Sequence, residues 1–477
     1  MNLLITSLQP EIISTASIML PSHTPSPHIA LIPSAGMGHL TPFLRLASLL
    51  LSRNCNVTLV TAKSTVSNAE SDHISFFLTT HPRVKHLEFD VIPLHSSNPS
   101  AQDPFLIQYN AISRSAHLLH PLLSSSSPPL SAIFCDLLVA KSVARISADL
   151  RIPYYLVITT SARFLSFMLH LPVLVSNPDK FNSSIVQVEI PGLTPFSIAS
   201  IPLPFLNPNH LLAASIIANV GVVPEAKGIM VNTFDWFEAE TIAALNNGKV
   251  LSNLPPVIPI GPVQAYELQK DQSPYLLWLD DQPEKSVVYV SFGSRTAMSN
   301  DQIRELGYGL DKSGCRFLWV VKTTKVDKED KAGLEELLGE SFLERIENRG
   351  MVVKGWVNQD KILAHPATGG FISHCGWNSV TESAERGVPV LAWPLHGDQR
   401  VNAEVLQKAG LGIMEKTWGM GTERLVKHEE IGKKIVELMD DAELRNRAKK
   451  VGEEARKSTE LGGSSDEAIM EIIEKLT

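Results

Sequence analysis

Short apolar runs rich in branched residues alternate with segments of helical period along most of this chain, and the alternation begins twice. Residues 28–33, 56–61, 86–93, 131–135 and 153–159 each read as a strand followed by a helical segment. A proline-rich stretch at 254–262 (LPPVIPIGP) interrupts the series. Beyond it a short helical segment, 275–281, leads into SVVYVSF at 286–292, and new strands follow at 316–321, 351–354, 369–373 and 389–393. Continuous apolar runs suit strands buried on both faces, and the intervening helices supply the cover. The pattern therefore predicts doubly wound parallel sheets. Two starts predict two facing Rossmann-like α/β domains with ligands held in the cleft between them, beyond the carboxyl ends of the strands.

Length supports the division, because 477 residues exceed what one core encloses. Charge is also uneven: about 26 of the 92 charged residues stand before residue 241. The expected organisation is an extension at 1–27, a first domain at 28–255, a linker at 256–275, a second domain at 276–455 and a C-terminal helical segment at 456–477. The extension has no Lys or Arg and many Ser, Thr and Pro, so it fits neither a secretory signal nor a transit peptide. It is expected to be disordered, or to precede an alternative initiator at Met19. The charged run 322–349 reads as a solvated loop with a short helix.

Net charge of −8 argues against nucleic acid or an anionic membrane as partner, and no run reaches the roughly 18 apolar residues of a membrane span. Cys55, Cys135, Cys315 and Cys375 show no metal-like pairing, which fits a reducing, cytoplasmic setting and a monomer without disulfides.

The most specific stretch is 356–399, WVNQDKILAHPATGGFISHCGWNSVTESAERGVPVLAWPLHGDQ. GGFIS reads as a buried strand, His374-Cys375-Gly376 as a tight turn, and Asn378-Ser379 as the opening of an amphipathic helix. A strand, a small turn and a helix start present free backbone N–H groups to an anion such as a diphosphate. His374, Asn378 and Ser379 add side-chain donors at the same end. Trp356 can offer its indole face to a flat base. Glu382, one turn into the helix, can accept ribose hydroxyls.

This stretch resembles the plant secondary-product glycosyltransferase box, and residues 28–477 resemble the plant family-1 UDP-glycosyltransferases. The resemblance implies the GT-B arrangement of two Rossmann-like domains, a UDP-sugar as co-substrate, and a last helix that crosses back to the first domain. It implies donor-binding roles for Trp356, Val357, Gln359, His374, Trp377, Asn378, Ser379, Glu382, Asp398, Gln399, Thr159 and Ser294. Gln399 at the end of the box implies glucose, with Asp398 and Gln399 on its hydroxyls and Trp377 supporting the choice. One departure is WVNQ where WAPQ is commoner, and a backbone contact from Val357 to uracil makes it tolerable. No Asp-x-Asp motif occurs in the chain, so no metal is expected at the diphosphate and no further cofactor is implied.

In the first half SAGMGHL follows the first strand, with a helix expected to start near Thr41. A dinucleotide fingerprint would place Gly at 41 and an acid after the second strand, where Thr41 and Thr61-Ala62 stand, so NAD is disfavoured. A histidine in a strand-to-helix turn at a cleft titrates near neutrality and can take a phenolic proton. The resemblance makes His39 that base and Asp136 its supporting carboxylate, and Asp136 can serve as a helix N-cap as well. Asp103-Pro104-Phe105, Arg295 and the wording SAGMGHLTPFLRLA resemble the flavonoid C-glucosyltransferase branch. They imply that Asp103 places or deprotonates a polyphenol acceptor and that Arg295 lies near the sugar or diphosphate. Acceptor contacts are expected from apolar loops such as 164–172 and 191–208. The competing readings are an O-glucosyltransferase acting on the same acceptors and a non-catalytic nucleotide-sugar-binding protein.

Overall fold

The computed structural model describes residues 26–63, 65, 67–92, 104–177, 181, 185–266, 273–293, 295, 298–322, 333–422 and 424–477. Asp103, Ser294 and residues 1–25 of the expected extension lie outside them. In the first half the strands are β1 (His28–Ile32), β2 (Asn56–Ala62), β3 (Lys85–Phe89), β4 (Ala132–Asp136) and β5 (Tyr154–Ile158). A small antiparallel pair follows, β6 (Gln187–Val188) and β7 (Phe196–Ser197), then β8 (Ile229–Val231) and β9 (Val257–Pro259). Seven of these form one sheet in the order 3-2-1-4-5-8-9, with every neighbour parallel. The second half contributes β10 (Val287–Ser291), β11 (Arg316–Val321), β12 (Gly350–Lys354), β13 (Thr368–Ser373), β14 (Val390–Ala392) and β15 (Gly412–Met414). They form a second parallel sheet in the order 12-11-10-13-14-15.

All residues of β1, β4, β10 and β13 are buried, as strands covered by helices on both faces must be. In each sheet the order runs outward from the first strand in one direction and then the other. The reversals fall between β1 and β4 and between β10 and β13, and at these points the loops diverge and open a crevice.

The first sheet runs past the boundary expected at 255, because β9 pairs with β8 from within the proline-rich stretch placed in the linker. Prolines are tolerated there because β9 is an edge strand, bonded on one side only. At the other end, Pro27 already accepts a bond from the Asn56 N–H, so ordered pairing begins within the expected extension. The stretch 164–172, expected as a loop, lies within the helix Ala162–Val175. Its Phe164 and Phe167 pack against each other and against Phe205, and Phe167 also meets Phe196, all inside the core. The charged run carries two short helices, Leu334–Leu338 and Glu340–Ile346.

The helix Ala442–Thr459 packs on the second domain, and the chain then crosses to the first as the helix Ser464–Glu474. Ile469, Ile472 and Ile473 join the core of Leu31, Phe43 and Phe134, while Asp466 pairs with Arg53 and Ser465 donates to the Gly261 carbonyl at 2.7 Å. No helix among the described residues is long and apolar enough to cross a membrane. Ile469 is 1% exposed, and truncating such a residue removes about 2–5 kcal/mol. Ile469→Ala is therefore expected to lower the denaturant midpoint of first-domain unfolding, followed by circular dichroism on the full chain.

Candidate active site

After β1 the backbone turns at Gly36, whose φ of +91° is open to glycine, and the helix Met37–Ser52 begins at once. It starts one turn before the expected Thr41, placing His39 in its first turn. Pro42, inside this helix, has no N–H to give the Gly38 carbonyl four residues back. That carbonyl accepts instead from Asn378 Nδ2 of the second domain, at 3.3 Å. The two strand-order reversals thus face each other, with His39 on one side of the cleft and the helix Trp377–Arg386 on the other.

Asp136 closes β4, next to β1, and uses both of its oxygens. One accepts the Leu138 N–H at 2.8 Å as an N-cap, and the other meets His39 Nδ1 at 2.6 Å, so the two roles expected for it hold together. Thr159 Oγ1 lies 3.1 Å from the same nitrogen. Thr159, expected among donor residues, therefore sits on the histidine. With Nδ1 engaged, Nε2 is the nitrogen left to the cleft, and the side chain is 25% exposed. Burial lowers the His39 pKa, but the Asp136 carboxylate outweighs it by charge and by hydrogen bond, with help from Asp398 and against Arg295. The net direction is upward. Phe105 stacks on His39 with ring centroids 5.5 Å apart, and the Arg295 guanidinium lies over Phe105 at 4.4 Å. Arg295 is thus close to His39.

In the second domain the turn after β13 holds Cys375 at φ +64°, a conformation uncommon outside glycine. Ser373 Oγ accepts the Cys375 N–H and Asn402 Nδ2 donates to its carbonyl. The helix Trp377–Arg386 follows with no capping side chain, so its first N–H groups are open to an anion. Asn378 Oδ1 is buried without a hydrogen-bond partner at the same end. Gly293 and Gly376 enclose the His374 ring, and a Cβ on either would come within 2.5–2.6 Å of Nε2. Burial, with His396 next, pushes the His374 pKa down to about 3, so the ring is neutral at ordinary pH.

Three box residues carry contacts beyond those the resemblance implies. Trp377 is 3% exposed and its indole N–H donates to the Asn232 carbonyl at 2.8 Å, so its ring ties the two domains together. The Gln399 carbonyl accepts the N–H groups of Leu395 and His396, which shapes the loop before it. Asp398 is bonded to Thr160 of the first domain and to Asn402. Trp356 is 61% exposed and lies near His73 of the first domain, with ring centroids 6.4 Å apart. Val357 is buried in the second core. The WVNQ departure has its own use: Asn358 gives its N–H to Tyr275 Oη and caps Lys361 N, and proline could do neither. Gln359 donates to Ser379 and Glu382, and Glu382 is also paired with Arg45. Thr160, Asn402 and Arg45 were not singled out from the sequence. Arg45 had a signal, as the single Arg or Lys of a helix otherwise largely apolar.

A model of the UDP-glucoronosyl and UDP-glucosyl transferase family matches residues 250–431. Across 452 residues the chain is 51% identical to UDP-glycosyltransferase 708C1 of Fagopyrum esculentum, covering 94% of this chain and 95% of the relative. UDP-glycosyltransferase CGT of Oryza sativa subsp. japonica is 46% identical over 450 residues, again 94% and 95%. The crystal structure of LpCGTa in complex with UDP superposes with a TM-score of 0.84 at 44% identity, covering 95% of this chain and all of that one. The chain belongs to the plant family-1 UDP-glycosyltransferases. It is accordingly a UDP-sugar-dependent glycosyltransferase of GT-B architecture, related to the 708 and CGT proteins.

Asp136 raises the His39 pKa; if His39 is the base of the reaction it works only when unprotonated, and activity is then expected to fall as pH drops through that pKa. Asp136→Asn removes the charge, and the His39 pKa should move down. The expected outcome is an acid limb of kcat/KM displaced to lower pH, with a reduced plateau because the base is weaker. A histidine NMR titration of the same variant checks the direction independently.

Proposed function

We propose that this enzyme transfers glucose from UDP-glucose, with inversion, to a ring carbon of a polyphenol. The observation that carries the reading is the His39–Asp136 pair at 2.6 Å, its aspartate buried and its histidine partly open, set across the cleft from an uncapped helix start. His39 Nε2 takes a phenolic proton while Nδ1–H donates to Asp136, which favours the imidazolium as it forms. The phenolate pushes electron density onto the carbon ortho to it. That carbon attacks the anomeric carbon in line as the bond to UDP breaks, and an α-linked donor gives a β-product. The ring carbon then gives its own proton to solvent water, and aromaticity returns as the phenolate takes back the proton held by His39. UDP leaves toward the helix start, His374, Asn378, Ser379 and Ser294, with Asp398 and Gln399 on the sugar and Trp356 and Val357 at the base. Asp103 and Arg295 serve the acceptor and the sugar end, and the position of Arg295 over Phe105 beside His39 supports this.

Kinship with the proteins named CGT supports transfer to carbon, as does the chemistry of the acceptor class. A ring bearing hydroxyls at alternate carbons has carbon positions activated by the oxygens that serve O-transfer. The atom that reacts is then the one the pocket aims, and small displacements redirect the bond. O-glucosylation of the same acceptor is the second reading, because the same base serves it.

Two measurements test the proposal. His39→Ala is expected to lose about 10²–10⁴ in turnover, the range of a general base, while UDP affinity by calorimetry changes little. The product with a trihydroxylated dihydrochalcone or 2-hydroxyflavanone is expected to survive hot dilute acid and to show an anomeric carbon outside the acetal range. Release of glucose would instead establish the O-linked reading.

A further inference from the structure

The helix Met37–Ser52 buries Leu40, Phe43, Leu44, Leu46, Ala47 and Leu50, and among them Arg45, only 7% exposed. A buried guanidinium needs a partner, and this one crosses the domain boundary to find it. Arg45 Nη2 is paired with Glu382 Oε1, with both side chains less than 10% exposed. The other Glu382 oxygen accepts from Gln359 Nε2 at 2.6 Å, and that amide also reaches Ser379 Oγ at 2.9 Å. Tyr289 Oη donates to Gln359 Oε1 at 3.2 Å. A first-domain cation therefore ends a hydrogen-bonded chain that runs through the nucleoside half of the donor site.

Domain adhesion alone explains this poorly. A buried ion pair holds surfaces together no better than apolar packing of the same volume, whereas breaking one leaves an uncompensated charge. The helix that carries Arg45 is otherwise buried through apolar side chains. A carboxylate offers about four acceptor positions, and Arg45 and Gln359 take two. Two remain, the number that a ribose diol needs. The nearby charges do not duplicate the role: Arg386 is committed to Asp360, at 2.9 and 3.1 Å, and lies against Glu385.

We infer that Arg45 is a positioning residue for the nucleotide: from the acceptor domain it fixes the Glu382 carboxylate so that its free lone pairs meet the two ribose hydroxyls. This rests on the reading of Glu382 as the ribose acceptor. It makes donor affinity depend on a residue of the opposite domain.

The test compares UDP with 2′-deoxy-UDP by titration calorimetry on the full chain, for the wild type, Glu382→Ala, Arg45→Met and Arg45→Lys. Hydrogen bonds to charged groups predict a wild-type preference for UDP of about tenfold or more, which Glu382→Ala abolishes. Arg45→Met is expected to shrink that preference to within about threefold while 2′-deoxy-UDP binds nearly as in the wild type. Arg45→Lys keeps the charge without the fork and should fall between the two. In steady-state assays the Arg45→Met loss falls on KM for the UDP-sugar more than on kcat. Equal weakening of both nucleotides, with the preference intact, would show a merely structural arginine and overturn the inference. If Arg45→Met does not fold, Arg45→Lys decides: a wild-type ratio overturns the inference and a reduced one supports it. Should Glu382→Ala itself keep the preference, the reading of Glu382 fails first, and the two failures are distinguishable.

Discussion

Each parallel sheet has one crevice, where its strand order reverses, and a two-sheet protein has a common site only if those crevices face each other. Five of the polar contacts that hold them so are drawn from both domains. Trp377 donates to Asn232, Ser161 pairs with Asn402, Thr160 with Asp398, Asn378 with the Gly38 carbonyl and Arg45 with Glu382. Every one of them involves a residue in or adjoining the candidate site. The groups placed for chemistry are thus also the groups that align the halves. Disturbing the domain packing therefore disturbs the site.

This double use explains what was legible in the sequence. The long buried strands β1, β2, β10, β11 and β13 carry five to seven residues each, and their apolar runs gave both sheets and both crevices. Strands β8, β9 and β15 have three residues apiece, too few to show a pattern, and β9 is further disguised by prolines. The helix after β1 starts a turn before the Thr41 expected from the sequence. What decides the true start is Gly36, whose positive φ turns the chain before Met37.

Residue chemistry was legible where a side chain has one plausible use, and less so where tertiary contacts choose. His39 and Asp136 meet as expected, since His39 lies in the turn that follows β1 and Asp136 closes β4, the neighbour of β1 in the sheet. Trp377 and Thr159 have the right chemistry for a sugar, but geometry turns the first to Asn232 and the second to His39. Gln399 reads as a sugar ligand from the box, but the bonds of its carbonyl to two backbone N–H groups have no signal in the sequence. Arg45 shows the opposite error. Its lone charge was visible in an apolar helix, but its partner is 337 positions away.

The two histidines at the cleft show how environment divides labour between identical side chains. Burial disfavours the charged form of both rings; at His39 the Asp136 carboxylate outweighs it and the pKa rises, whereas at His374, with His396 beside it, the pKa falls to about 3. On the proposed reading, the first is the group that must hold a proton during attack. The second must meet a diphosphate without taking that proton, and at a pKa of about 3 it does not compete for it. A neutral His374 also offers the diphosphate a hydrogen bond without a full charge. The negative charge of UDP is then met chiefly by the helix start, whose dipole is the same for substrate and product and needs no proton to act. The proton removed from the acceptor stays on the Asp136 side of the cleft, and the leaving group departs on the other.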